Sequence, residues 1–207
     1  TGVGVAKDAH LQQLLPRVVS GSSVGSIMAS ILCTAREEDI TELLDVHNWN
    51  LDAFDPASGF TGSLRRKLTR LVRRGVLMDI EKLQACVREN IGEYTFKEAY
   101  ERSGRVLNIT VTARHHSMLL NHVTAPHVLI WSAACASCAI PLVYEPVELK
   151  AKDARGSVVP YQDYRATWSD GSVRADLPMK RLAELFNVNH FIVSQVNPYV
   201  VPFMQDA

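Results

Sequence analysis

The chain has no excess of charge of either sign: its 207 residues include 22 Lys or Arg and 22 Asp or Glu. That balance excludes the broad basic surface on which nucleic-acid binding depends. There is no apolar run of the roughly 18 residues that a membrane-spanning helix requires, and the first residues have neither the charged nor the apolar region of a secretory signal. Cysteine is scarce. Cys33, Cys86, Cys135 and Cys138 are too few and too scattered for a disulfide framework, and their apolar neighbours fit buried thiols in a reducing, intracellular compartment. Cys135 and Cys138 form a C-x-x-C, but no second pair completes a zinc site. His115, His116, His122 and His127 lack a recognised ligand spacing, so no metal is assigned. Aromatics make up only 7% of the chain, and Trp49, Trp131 and Trp168 are too far apart to suggest a stacking platform for single-stranded nucleic acid. Repeats and low-complexity segments are absent as well.

What is present is a globular composition, with 47% hydrophobic and 21% charged residues, on a length suited to one core. A single domain over residues 1–207 is expected. The start TGVGVAKDAH has no initiator Met and the end VVPFMQDA closely follows a strand-like run, so the chain reads as truncated at both ends.

Periodicity and turn residues predict the element order. A helix over 5–15 enters a strand at 17–20, a turn follows, and a second helix runs from Val24 to Thr34. Residues 47–62 read as a loop, and 63–99 as helical with a break at Gly75 and a cap at Asp79. The alternating, β-branched RVLNITVTA, residues 105–113, predicts a strand. VLIWSAACASCAI reads as a buried helix of small residues ended by Pro141. A hairpin is expected around Gly156, a strand end and turn in ATWSDGSV, a helix in MKRLAELF and a last buried strand in NHFIVSQV. Helix, strand, turn, helix is the order of a parallel α/β sheet.

The turn carries the chemistry. Gly21-Ser22-Ser23-Val24-Gly25 spells G-x-S-x-G, in which a serine on a tight strand-to-helix turn is exposed and the glycines remove clashing side chains. The helix from Val24 points its free N–H groups at any oxyanion formed on Ser23. A glycine-serine turn capping a helix satisfies the same pattern without chemistry. A serine nucleophile needs a base. His190, the one histidine after residue 127, would complete a Ser-Asp-His order, yet it also reads as a packed or surface histidine. Asp170, followed by Gly171, sits where a turn could aim a carboxylate at the elbow; Asp-Gly is equally a common turn dipeptide.

Taken with the text around them, Ser23 and Asp170 resemble the Ser-Asp dyad of the patatin-like phospholipases, and in particular their triacylglycerol lipase branch in fungi and plants. The stretches LPRVVSGSSVGSI, TAPHVLIWSAACASCAIP and DLPMKRLAELFNVNHFIVSQVNP carry that resemblance over essentially the whole chain. It implies a three-layer α/β/α fold with a mainly parallel central sheet and a cofactor-free lipid acyl hydrolase. Ser23 would be the nucleophile, Asp170 the base in a turn with Gly171, and Gly21, Gly25 and the Val24 N–H the elbow and oxyanion contact. It further implies neutral lipid or phospholipid as substrate, met peripherally at a lipid droplet or membrane surface. The family's glycine-rich oxyanion loop precedes its first helix, whereas this chain starts at Thr1-Gly2-Val3-Gly4. Leu142 stands where relatives usually have Gly, and Ser172 where many have Gly or Ala.

Three other readings remain open here. One is a non-catalytic lipid-binding fragment lacking that loop; another is a phospholipase or acyltransferase of the same family; the third is a Ser-His-Asp hydrolase using His190. The arginines and leucines of SLRRKLTRLVRR, residues 63–74, fit a helix lying on anionic lipid, and equally one with its leucines in the core.

Overall fold

The computed structural model describes residues 15–40, 80–113, 116–139, 147–161, 169–170 and 177–194. The expected helix over 5–15 falls outside these apart from Leu15. The 47–62 loop, the helix over 63–74, Gly75, Asp79, Pro141, Leu142, Gly171 and Ser172 also lie outside.

Strand β1 (Val18–Gly21) leads through Ser22 and Ser23 into helix α1 (Val24–Thr34), and a 3-10 turn follows at Glu37–Asp39. Helices α2 (Ile80–Ile91) and α3 (Phe96–Ser103) precede strands β2 (Val106–Ala113) and β3 (His116–Leu120). Then come α4 (Ile130–Cys138), the hairpin β4 (Lys150–Lys152) and β5 (Val158–Pro160), the short β6 (Ser169–Asp170) and α5 (Met179–Phe186).

Everything hinges on β2. Its alternation sends Leu107, Ile109 and Val111 into one core with residues of α1 to α4, while Asn108, Thr110 and Thr112 are buried on the other face. Asn108 is satisfied there: its amide donates to the Val19 carbonyl, and its oxygen accepts from the Asn121 side chain. Strand β1 runs parallel to β2 with Gly21 opposite Ile109, and β3 runs antiparallel with Leu120 opposite the same Ile109. Strand β6 is antiparallel with Asp170 opposite Val111, where β3 occupies the other edge. Strand β6 therefore continues the edge that β1 leaves at Gly21.

The α/β class holds, but among the described residues the sheet is mixed rather than mainly parallel. The cause is local: only Arg114 and His115 separate β2 from β3, and so short a link can only return the chain antiparallel. Strand β3 itself falls where the sequence suggested only a histidine cluster. The helical reading of 63–99 is broken at Gly92, whose φ of 80° ends α2. Helix α3 then restarts on a capping box, in which the Thr95 hydroxyl accepts from the Glu98 N–H and the Glu98 carboxylate accepts from the Thr95 N–H. The expected last strand is corrected as well. Residues His190 to Ser194 are exposed and unpaired among the described residues, with Ile192 78% exposed. An apolar, β-branched run becomes a strand only where it pairs with a sheet edge, and these residues pair with none among the described residues.

Helix α1 is held at its far end by charge. The Arg102 Nε donates to the Thr34 carbonyl at 2.9 Å, and the Arg105 guanidinium, which pairs with Glu37, reaches the Ala35 carbonyl at 3.5 Å. These cations sit where the helix dipole is negative and its last carbonyls lack partners. No helix among the described residues is long and apolar enough to cross a membrane.

Replacing Thr95 by Ala removes the α3 cap and should cost about 1 kcal/mol, seen as a melting temperature lower by roughly 2–4 °C. Burial pushes the Glu98 pKa up, but bonds from Lys152 and from the Thr95 backbone and hydroxyl outweigh it and hold the carboxyl below its ordinary 4.5. A lowered carboxylate pKa stabilises the fold above the ordinary Glu range, and that stability is lost as pH falls through the folded value. Chemical denaturation of Glu98→Gln against pH should therefore show a shallower acid slope than the unsubstituted protein.

Candidate active site

Ser23 has φ 52° and ψ −133°, a backbone conformation that a side-chain-bearing residue adopts at a cost on the order of 1–3 kcal/mol. It is half-buried, at the seam between β1 and α1. The strain follows from how closely the helix turns back on the strand. A Cβ placed on Gly21 would lie 2.2 Å from the Gly25 carbonyl oxygen, so only glycine fits at 21. Gly25 differs: a Cβ there meets nothing within 4 Å. Of the two glycines in the motif, the close approach requires the first.

The amides of the turn are shared out unevenly. Gly25 N–H donates to the Ser22 carbonyl at 3.0 Å, and Ser26 N–H to the Ser23 carbonyl at 2.8 Å. Ser23 N–H donates to the Ser137 hydroxyl at 2.9 Å. The Val24 N–H has no acceptor among the described residues, and Val24 itself is 57% exposed. An uncommitted amide at the start of a helix, next to a serine hydroxyl, is suited to accept developing negative charge. The Ser22 and Thr110 hydroxyls, both buried, also lack partners among the described residues.

Asp170 reaches the same region by strand pairing. Gly21 and Asp170 hold register positions opposite Ile109 and Val111 on one edge of β2, two residues and so about 7 Å apart along the strand. Helix α4 packs against both α1 and β6. Ser23, Gly21, Gly25, Val24 and Asp170 are thereby gathered at one end of β1.

The remaining candidates sit elsewhere. His190 is exposed on the stretch after α5, its Nδ1 at 2.8 Å from the Asn189 side-chain oxygen. None of the four cysteines is in a disulfide, and all four are buried. Burial pushes the Cys33 thiol up to about 12 and the Cys135 thiol well above its ordinary value, so neither is a thiolate at neutral pH. His122 stacks on Tyr100 with ring centroids 4.1 Å apart, and burial lowers its pKa. His127 is exposed. Trp131 lies under the Arg88 guanidinium, 5.5 Å from its ring centroid.

Sequence reasoning passed over Ser137, because attention there fell on the cysteines of C-A-S-C. Its one available signal was a hydroxyl within a helix otherwise built of small, buried residues.

A model of the patatin-like phospholipase family matches residues 2–183. Triacylglycerol lipase SDP1L of Arabidopsis thaliana is 42% identical over 98% of this chain and 27% of its own length. Triacylglycerol lipase ptl3 of Schizosaccharomyces pombe is 38% identical over 100% of this chain and 44% of its own, and triacylglycerol lipase 4 of Saccharomyces cerevisiae 41% over 98% and 23%. The chain thus spans less than half the length of these relatives. VipD of Legionella pneumophila matches 86% of this chain and 45% of its own with a TM-score of 0.46 and 18% identity, too loose a likeness to transfer residues.

The two glycines separate in a simple test. Gly21→Ala should lower stability by several kcal/mol or prevent folding, since strand or helix must shift to admit the methyl, on the order of an overpacked core site or worse. Gly25→Ala should leave the melting temperature unchanged or raise it, as alanine gains about 0.5–1 kcal/mol over glycine in a helix. Equal destabilisation by both would contradict the close approach at Gly21.

Proposed function

The chain belongs to the patatin-like phospholipase family, and from that premise we propose that it carries the lipid acyl hydrolase site of a triacylglycerol lipase, with Ser23 as nucleophile and Asp170 as base. The observation that carries this reading is the pairing of a strained serine at the end of β1 with Asp170 on the next stretch of the same β2 edge. The same turn sets beside that serine the Val24 N–H, which has no acceptor among the described residues.

In the proposed reaction, Ser23 Oγ attacks the ester carbonyl carbon while its proton passes to the Asp170 carboxylate. The carbonyl electron pair moves to oxygen, and the oxyanion is met by the Val24 N–H. As the tetrahedral intermediate collapses, the C–O bond to the alcohol breaks and Asp170 returns its proton to the leaving oxygen. Water then attacks the acyl-Ser23 ester with Asp170 again taking the proton, and the fatty acid departs as Ser23 Oγ is reprotonated.

The three relatives are named as triacylglycerol lipases, which supports neutral lipid as the substrate class. Such a substrate presents itself at a droplet or membrane surface, so a peripheral location is part of the proposal. The family match over 2–183 supports one domain.

Fatty acid release from emulsified triacylglycerol by the full-length protein tests the reading. Ser23→Ala should reduce kcat by on the order of 10^4- to 10^6-fold. Asp170→Asn, which cannot take the proton, should lose on the order of 100- to 10,000-fold. His190→Ala should retain full activity. Wild-type turnover in Ser23→Ala would overturn the proposal, and collapse of activity in His190→Ala would replace the dyad by a triad.

A further inference from the structure

The Ser137 hydroxyl lies at the centre of the elbow without facing solvent. It comes from the last turn of α4, is fully buried, and makes two bonds that both leave its own helix. It donates to the Thr110 carbonyl at 2.8 Å and accepts from the Ser23 N–H at 2.9 Å. These directions are fixed by chemistry: a carbonyl oxygen cannot donate and an amide N–H cannot accept, so the single hydroxyl proton must point at Thr110.

The buried hydroxyls of Ser30 and Thr34 behave differently. Both donate to carbonyls four residues back in α1, at 2.6 and 2.9 Å. A hydroxyl that needed only a partner for itself would do the same. Ser137 instead bridges α4, the strained residue of the β1–α1 turn and the middle of β2. Thr110 immediately precedes Val111, the register partner of Asp170.

Resting on the assignment of Ser23 and Asp170 above, we propose that Ser137 is a positioning residue for the reaction. Its hydroxyl holds the Ser23 backbone in the exposed-nucleophile conformation and ties it to the strand against which Asp170 is placed. By occupying the Ser23 N–H, it also leaves the neighbouring Val24 N–H as the uncommitted amide of the turn. Without it, the Ser23 N–H loses its acceptor and the turn is free to relax toward an ordinary backbone conformation. Ser137 does not touch substrate, so the loss belongs in kcat and not in KM.

The test compares Ser137→Ala, Ser137→Cys and Ser23→Ala with the unsubstituted full-length protein. Three quantities are read: amide hydrogen exchange at Ser23, the rate of covalent labelling by a fluorophosphonate, and kcat and KM on a soluble ester. Ser137→Ala should lower the labelling rate and kcat by on the order of 10- to 100-fold with KM unchanged, the scale of loss expected from displacing a reacting group by about 1 Å. Exchange at Ser23 should accelerate at least about tenfold while amides in the middle of α1 keep their rates. Ser137→Cys, with a weaker donor and acceptor in nearly the same space, should recover part of the loss. Labelling that needs Ser23 but is unchanged in Ser137→Ala overturns the role of Ser137 alone. So does acceleration of every α1 amide together with Ser23, which would mark a packing residue. If the unsubstituted protein shows no Ser23-dependent labelling, the nucleophile assignment falls and the positioning role falls with it.

Discussion

The constraint on which the structure depends is the closeness of the first turn of α1 to the end of β1. Gly21 has no room for a side chain because the Gly25 carbonyl lies against its α-carbon. A chain that folds back so tightly must pass through an unfavourable backbone angle, and it does so at Ser23. The strain is local, but what sustains it is not. Hydrogen bonds from Ser26 and Gly25 close the turn from inside, and the Ser137 hydroxyl holds it from α4. Unsupported strain of this size would relax.

Helix α1 links that turn to the rest of the core. Its buried face carries Ser26, Ser30 and Thr34 at four-residue spacing, small hydroxyl side chains that are satisfied without solvent. The Ser26 hydroxyl donates to the Ser23 carbonyl and lies 3.5 Å from the Ala134 carbonyl of α4, so the two helices run close together. At the opposite end Arg102 and Arg105 occupy the terminal carbonyls. One end of the helix is thus neutralised by protein cations, while the other presents amides beside Ser23. In the proposed reaction that asymmetry is useful, since the positive end of the helix dipole then faces the site of developing negative charge.

The C-A-S-C segment shows how a familiar pattern can draw attention to the wrong atoms. Both its thiols are buried, and burial is the first cause of the raised Cys135 pKa. The hydroxyl between them makes the contacts that matter to the elbow. Nothing about C-x-x-C distinguishes these cases in sequence, because both depend on which helix face meets which neighbour.

Much of the molecule was legible from order and composition alone. Strand β1, helix α1, strand β2, helix α4, the Gly156 hairpin and helix α5 each follow from local periodicity, glycine positions or small-residue content, and each stands where it was expected. The turn at Ser23 was legible because an elbow needs a glycine at a fixed offset, while Asp170 was singled out through the family resemblance, and the roles of both stay with the proposal. Strand β3 and the break at Gly92 were not legible, since one has no clean alternation and the other interrupts an otherwise helical pattern. The tail at 190–194 was misread because its residues favour a strand but meet no edge among the described residues. Sequence by itself thus determined most of the segments that become helix or strand and where the elbow turn falls, because those properties are local. Only the tertiary structure decided that β6 continues the edge of β1, that the Val24 amide meets no acceptor among the described residues and that Ser137 reaches Ser23. Those depend on register and on contacts between residues more than a hundred positions apart, as with Ser23 and Ser137, which are 114 apart in sequence.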